Sequence, residues 1–252
     1  MFSLRAWRRR RILARHAIND ELWHRVRTQL PLLHRLTSAD ERRLRELALL
    51  FLHEKVFECA SDMTLSETQR LWIAVQACLP ILNLGLDWYD GWKAIVIYPD
   101  EFITRHEEMD EDGVVHSFEE VRSGEAWLNG PVILAWSEVA DADAYTGHNL
   151  VVHEFAHKLD MLNGDANGLP PLHKNMSVTH WAEVFTAAFN DFQRRIEHDI
   201  DELEIDPYAA ESPGEFFAVM SEVFFANPVA LHRRYPAVYD QMVLFYRQRP
   251  LD

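Results

Sequence analysis

Apolar residues recur three and four apart toward both ends of this chain, and they gather into short unbroken runs in its middle. Ser38-Ala39-Asp40-Glu41 reads as a capping box opening a helix through Leu44, Leu47, Leu50 and Phe51. Thr64-Leu65-Ser66-Glu67 repeats that signal before Leu71, Trp72, Val75 and Cys78, and Pro80 marks the stop. Strands are expected at Ala94–Tyr98, Val114–Phe118 and Val132–Trp136, with turns at Asp110–Gly113 and Asn129-Gly130-Pro131. A polar loop, Asp141–Gly147, leads into an apolar helical run from Asn149 to Leu162, which Asn163-Gly164 ends. Trp181, Phe185, Ala188, Phe189, Phe192 and Ile196 form a helical stripe, followed by the acidic stretch Glu197–Asp206. Ser212-Pro213-Gly214-Glu215 opens a helix through Phe216, Phe217, Met220, Val223 and Phe224, and a last helix runs from Pro236 to Gln248.

The expected fold is α+β, with helices at both ends around a small central, mostly antiparallel sheet. One domain spans residues 1–252, with a helical part at 1–90 and the sheet and site at 91–252.

The chemistry lies in the helical run after Asn149, which contains His153-Glu154-Phe155-Ala156-His157. Histidines four apart stack on one helix face and can share a metal ion, and zinc favours such nitrogen ligands. Glu154 between them suits proton abstraction from an activated water, so the segment has the H-E-x-x-H pattern of zinc peptidases. The plainer alternative is a surface helix with two solvated histidines. Leu150, Val151, Val152, Phe155, Ala156, Leu159 and Met161 argue against it, because they make the helix apolar nearly all round and therefore buried. Two buried histidines and a buried glutamate need something to pair with, and a metal ion supplies it.

Composition narrows the class. Of 252 residues 48% are hydrophobic, enough for a sizeable core, and the formal net charge is −15. The charge is uneven: residues 1–48 carry 12 Arg against 5 acids, and the remainder is strongly acidic. An acidic body argues against direct nucleic-acid binding. Arg8-Arg9-Arg10-Arg11, with Arg5 and Arg15, reads as a solvated helical arm, with an acidic partner or a membrane surface as the sharper alternatives. Ile12-Leu13-Ala14 is interrupted at once by Arg15, so no signal peptide is expected, and no run reaches the length of a transmembrane segment. Cys59 and Cys78 are then reduced thiols in a cytoplasmic protein.

Two histidines leave a catalytic zinc site one protein ligand short. A third histidine six residues after the second would stand at position 163, which is Asn, so that solution is excluded. A glutamate from a later helix is the other solution, and Glu215 and Glu222, seven apart on one helix face, both fit. Glu215 could instead close a capping box on Ser212, and Glu222 could hold a ligand histidine in place. A structural site would draw a fourth ligand from His148, His173 or His180.

The segments His153–Asp160, Asn163–Pro171 and Glu211-Ser212-Pro213-Gly214-Glu215-Phe216-Phe217-Ala218 together resemble the Mlc titration factor A family of bacterial zinc peptidases. A more distant likeness is to the catalytic domain of anthrax lethal factor. The resemblance implies a gluzincin-like metallopeptidase with one Zn2+ on His153, His157 and Glu215. It also implies Glu154 as general base and Tyr208, seven before Glu215, as a hydroxyl on the oxyanion side. It implies aminopeptidase-type cleavage of peptides and binding to Mlc, a glucose-responsive transcriptional repressor that controls sugar-uptake genes. Thermolysin-like gluzincins carry an Asp four after the ligand Glu; here that position is Val219, so Asp160 and Glu222 become the supporting carboxylates. An extended substrate would pair with an edge strand, for which Val132–Trp136 or its burial as an interior strand are both open.

Overall fold

A computed structural model describes residues 4–109, 115–141, 147–198 and 205–251. The expected Asp110–Gly113 turn, Val114, most of the Asp141–Gly147 loop and positions 199–204 of the acidic stretch lie outside them.

The N-terminal part holds α1 (Leu4–Arg15), α2 (Asp20–Gln29) and α3 (Ser38–Glu54). The basic arm is docked rather than loose. Arg9 meets Glu54 at 2.7 Å and Asp87 at 2.6 Å, Arg5 meets Glu54 at 3.1 Å, and Ile12 and Leu13 pack on the core. The cap of α3 lies one residue before the expected box: Thr37 accepts from the Asp40 amide. After β1 (Val56–Cys59), α4 (Glu67–Cys78) opens on Ser66, whose capping box closes on Gln69 rather than on the Thr64–Glu67 spacing.

The middle contributes β2 (Ala94–Tyr98), the hairpin β3 (Phe102–Met109) and β4 (Val115–Arg122), β5 (Gly124–Ala126) and β6 (Val132–Ala135). Four strands form one sheet in the order β1-β2-β6-β5. β1 with β2 and β2 with β6 are parallel, and only β5 with β6 is antiparallel. The mostly antiparallel expectation is therefore corrected to a mixed sheet. The physical reason is connectivity: α4 carries the chain back between β1 and β2, and such a crossover makes the pair parallel. β1, inside the part expected to be helical, is four residues long with alternate residues exposed, too short to read against its helical neighbours.

β6 lies between β2 and β5, so Val132–Trp136 is interior and not a substrate edge, and Trp136 already begins α5 (Trp136–Ala140). The edge near the site is β5. Ala135 donates to the Ser123 carbonyl and Trp127 donates to the Pro131 carbonyl. By antiparallel alternation, Gly124 and Ala126 then turn their backbone groups away from β6.

The second half holds α6 (Leu150–Asp160), α7 (Val178–Glu197), α8 (Pro213–Ala226), α9 (Pro228–Arg234) and α10 (Pro236–Tyr246). Every residue of α6 is buried, as the apolar run predicts, and α6 packs against α8. Phe155 faces the opposite way, within 5.1–5.7 Å of the Phe51, Tyr89 and Trp92 rings. Burying such a ring contributes about 1.5–3 kcal/mol, so this aromatic contact holds the motif helix in rotation with its histidines turned to α8.

Candidate metal centre

Asn149 caps α6 by accepting from the Val152 amide at 2.9 Å, and its side chain donates to Gln76 on α4 at 2.6 Å. That start sets the rotation of His153 and His157. Their Nε2 atoms lie 3.1 Å apart, and both reach one oxygen of Glu215, at 3.0 and 3.2 Å. Among the described residues, His153, His157 and Glu215 form a group whose ligand atoms lie within 4.8 Å of one another.

The two glutamates on α8 divide their work. The Glu215 amide donates to Ser212 at 3.1 Å, which caps the helix, while its carboxylate turns to the histidines instead of folding back. Glu222 accepts from His153 Nδ1 at 2.7 Å, on the far side of the ring, and from the Asn149 amide. This contact fixes the tautomer that leaves Nε2 free to ligate. Support for the first histidine thus comes seven residues after Glu215, where Val219 offers none.

Asp160 plays a different part. It accepts from the Gly168 amide at 2.7 Å and holds the loop after α6, making no hydrogen bond to either histidine. That loop meets the start of α8 backbone to backbone. A Cβ on Gly168 would stand 2.5 Å from the Pro213 carbonyl, and one on Gly214 would stand 2.9 Å from the Ala166 carbonyl. Glycine at both positions lets the loop press on the helix that carries Glu215.

The electrostatics favour a positive charge at the cluster. Burial works against the Glu215 carboxylate, yet its two histidine contacts outweigh it and hold it well below the usual range. Burial likewise works against His153 as a cation, but Glu215 and Glu222 push its pKa well up. Two imidazole nitrogens and one carboxylate oxygen converging on a spot that favours positive charge fit a divalent transition metal. A metal held by these three groups would have a further position open, the arrangement of catalytic rather than closed structural sites. His173 instead contacts the Phe245 carbonyl at 2.8 Å and His180 is exposed, so neither joins the group. His148 lies near Glu138 and Glu222, at 3.6 and 3.5 Å, also outside it.

Glu154 is buried beside the cluster, and burial pushes its carboxyl up to about 7 against the pull of both histidines. Tyr208 sits on a short turn, Pro207–Ala210, exposed and with its ring 6.0 Å from the His153 ring. Lys158 follows His157 and donates to the Trp127 and Gly130 carbonyls at 2.5 and 3.3 Å, tying the end of β5 to the motif helix. Neither Lys158 nor Gly124 stands out in the sequence: Ser123–Trp127 shows no alternation, and a lysine after a histidine carries no signal of its own.

This site, set between a buried motif helix and a second helix that brings a carboxylate to it, is of the metal-dependent peptidase class. The family described as glucose-regulated metallo-peptidase M90 matches residues 4–247, and the chain belongs to it. Mlc titration factor A of Salmonella arizonae is 42% identical over 235 residues, covering 92% of this chain and 92% of that protein. Mlc titration factor A of Yersinia pestis (strain Pestoides F) is 38% identical over 231 residues, covering 91% and 85%. No helix among the described residues is long and apolar enough to cross a membrane.

Proposed function

We propose that the chain is a cytoplasmic, single-domain zinc peptidase of gluzincin type, with His153, His157 and Glu215 as the zinc ligands. The observation that carries this reading is the meeting of both Nε2 atoms with one Glu215 oxygen, beside a buried Glu154. Zinc held there supplies Lewis acidity, polarising a carbonyl and lowering the pKa of a water toward neutrality. Glu154 takes the proton from the attacking water and passes it to the leaving amine. The Tyr208 hydroxyl donates to the oxyanion. An extended peptide pairs with the outward backbone groups of Gly124 and Ala126 on β5. Cleavage is aminopeptidase-like, a reading supported by family resemblance.

Metal content by mass spectrometry, with a peptide-hydrolysis assay, tests this. The expected result is about one zinc per chain in the wild type, lost in Glu215→Gln, and zinc retained without turnover in Glu154→Gln. Turnover retained by Glu154→Gln removes that residue as the base. A well-folded wild type that takes up no zinc removes the peptidase reading.

A second reading is favoured by the relatives named Mlc titration factor A, which match over about nine-tenths of the chain. In it the chain binds an Mlc-type repressor and so modulates sugar-uptake genes, with hydrolysis secondary. Glu154→Gln then still binds the repressor in a pull-down; loss of binding in the folded variant ties the two activities together.

A further inference from the structure

Gly124 is the residue where the sheet edge touches the site. A Cβ built there would stand 2.3 Å from Glu154 Oε1, 2.8 Å from Glu154 Cδ and 2.8 Å from Leu150 Cδ1. Real Cβ atoms do not approach so closely, so any side chain at 124 must displace something. Leu150 and Glu154 lie one turn apart on α6, and both are buried. β5 is held on its other side by β6 through the Gly124–Leu134, Glu125–Ile133 and Ala126–Val132 register. The strand end is tied down as well, because Lys158 holds the Trp127 and Gly130 carbonyls. The strand therefore has little room to back away, and the displacement falls on the ends of the Glu154 and Leu150 side chains, Glu154 Oε1 being the nearest atom. A glycine inside a strand commonly marks such a close backbone approach.

We propose that Gly124 is a positioning residue for Glu154: its bare backbone forms one wall of the carboxylate's position beside the metal ligands. The proposal rests on the peptidase reading for its catalytic meaning. The same residue turns its amide and carbonyl outward, away from β6, on the edge that β5 forms among the described strands. One residue thus sets both the base and the line along which a substrate backbone lies, so their separation does not depend on a flexible loop. Alanine at 124 keeps the outward peptide groups and displaces the ends of the Glu154 and Leu150 side chains, of which Glu154 alone is the base. Its effect therefore falls on kcat rather than on KM, and zinc is retained.

The test is a cycle of Gly124→Ala, Glu154→Ala and the double variant, with two readouts. The first is the thermal midpoint of the metal-free chain, which needs neither zinc nor activity. Gly124→Ala is expected to lower it by roughly 2–6 °C, and to lower it by less than half as much when Glu154 is already Ala. An unfolded Gly124→Ala whose double variant folds supports the contact equally. An equal loss in both backgrounds overturns it, as does recovery by Leu150→Ala but not by Glu154→Ala, which assigns the clash to Leu150. The second readout is peptide hydrolysis by the zinc-loaded chain. A fall in kcat of roughly 10-fold or more with KM within about twofold supports positioning of the base. Unchanged kcat overturns the positioning role even where the stability coupling is present. A zinc-loaded wild type that hydrolyses no peptide overturns the peptidase reading and the catalytic role together, while the stability cycle still reports whether Gly124 and Glu154 touch.

Discussion

Replacing either carboxylate of α8 by its amide separates a ligand from a support. Glu215 Oε2 lies 3.0 and 3.2 Å from the two Nε2 atoms that face the metal position, whereas Glu222 lies 2.7 Å from Nδ1 on the far side of one ring. Glu215→Gln removes the only anionic member of the ligand group, and its fold is expected to survive because the helix cap uses the backbone amide and Ser212. Glu222→Gln keeps one oxygen that can accept from Nδ1, and loses the charge and the second oxygen, which accepts from the Asn149 amide. Removing a supporting partner of this kind costs about 10- to 100-fold in metal affinity, and the retained acceptor places Glu222→Gln near ~10-fold. Glu215→Gln should exceed ~100-fold, or about 3 kcal/mol. Competition for zinc against a chromogenic chelator, with all variants at one pH, measures both. Equal losses, or a larger loss in Glu222→Gln, would show that the ligand and its support have been assigned the wrong way round.

Tyr208→Phe should retain zinc and lower kcat by roughly 10- to 100-fold with little change in KM, read from steady-state kinetics on a peptide. Lys158→Met frees the Trp127 and Gly130 carbonyls, so KM should rise roughly 3- to 10-fold while zinc content stays unchanged. Lys55 is buried and donates to the Tyr89 and Trp92 carbonyls, and burial pushes its amine down to about 7 from an ordinary 10.5. Between those values the folded chain holds fewer protons than the unfolded one, so this group makes stability climb as pH rises from 7 toward 10.5. Urea unfolding of the metal-free protein at pH 7, 8 and 9 should show that slope in the wild type and a flatter one in Lys55→Met.

The motif helix and the α8 helix were legible because each carries its own local signal: an Asn or Ser cap, a dense apolar run, and chemistry spaced by whole turns. Boundaries moved by a residue or two where caps competed, as at Thr37 and Ser66. Strand β1 and the parallel pairing were not legible, since four residues of weak alternation look like a helix end, and direction depends on where the crossover helix packs. For the same reason the sequence leaves open whether Val132–Trp136 is an edge. The run at Val132–Ala135 announces a strand, but a third strand laid along it makes it interior and leaves the inconspicuous Gly124–Ala126 as the edge.

Local spacing alone determined that His153 and His157 share a helix face with Glu154 between them, because helix geometry is a property of neighbouring residues. The division of labour between Glu215 and Glu222 was decided by tertiary structure, since both lie on one face of α8 and only the placement of α8 against α6 sets which carboxylate meets Nε2 and which meets Nδ1. The passage of Gly124 across Glu154 was decided in the same way: the two residues are far apart in sequence, and the strand and the helix come together only through the packing of the core between them.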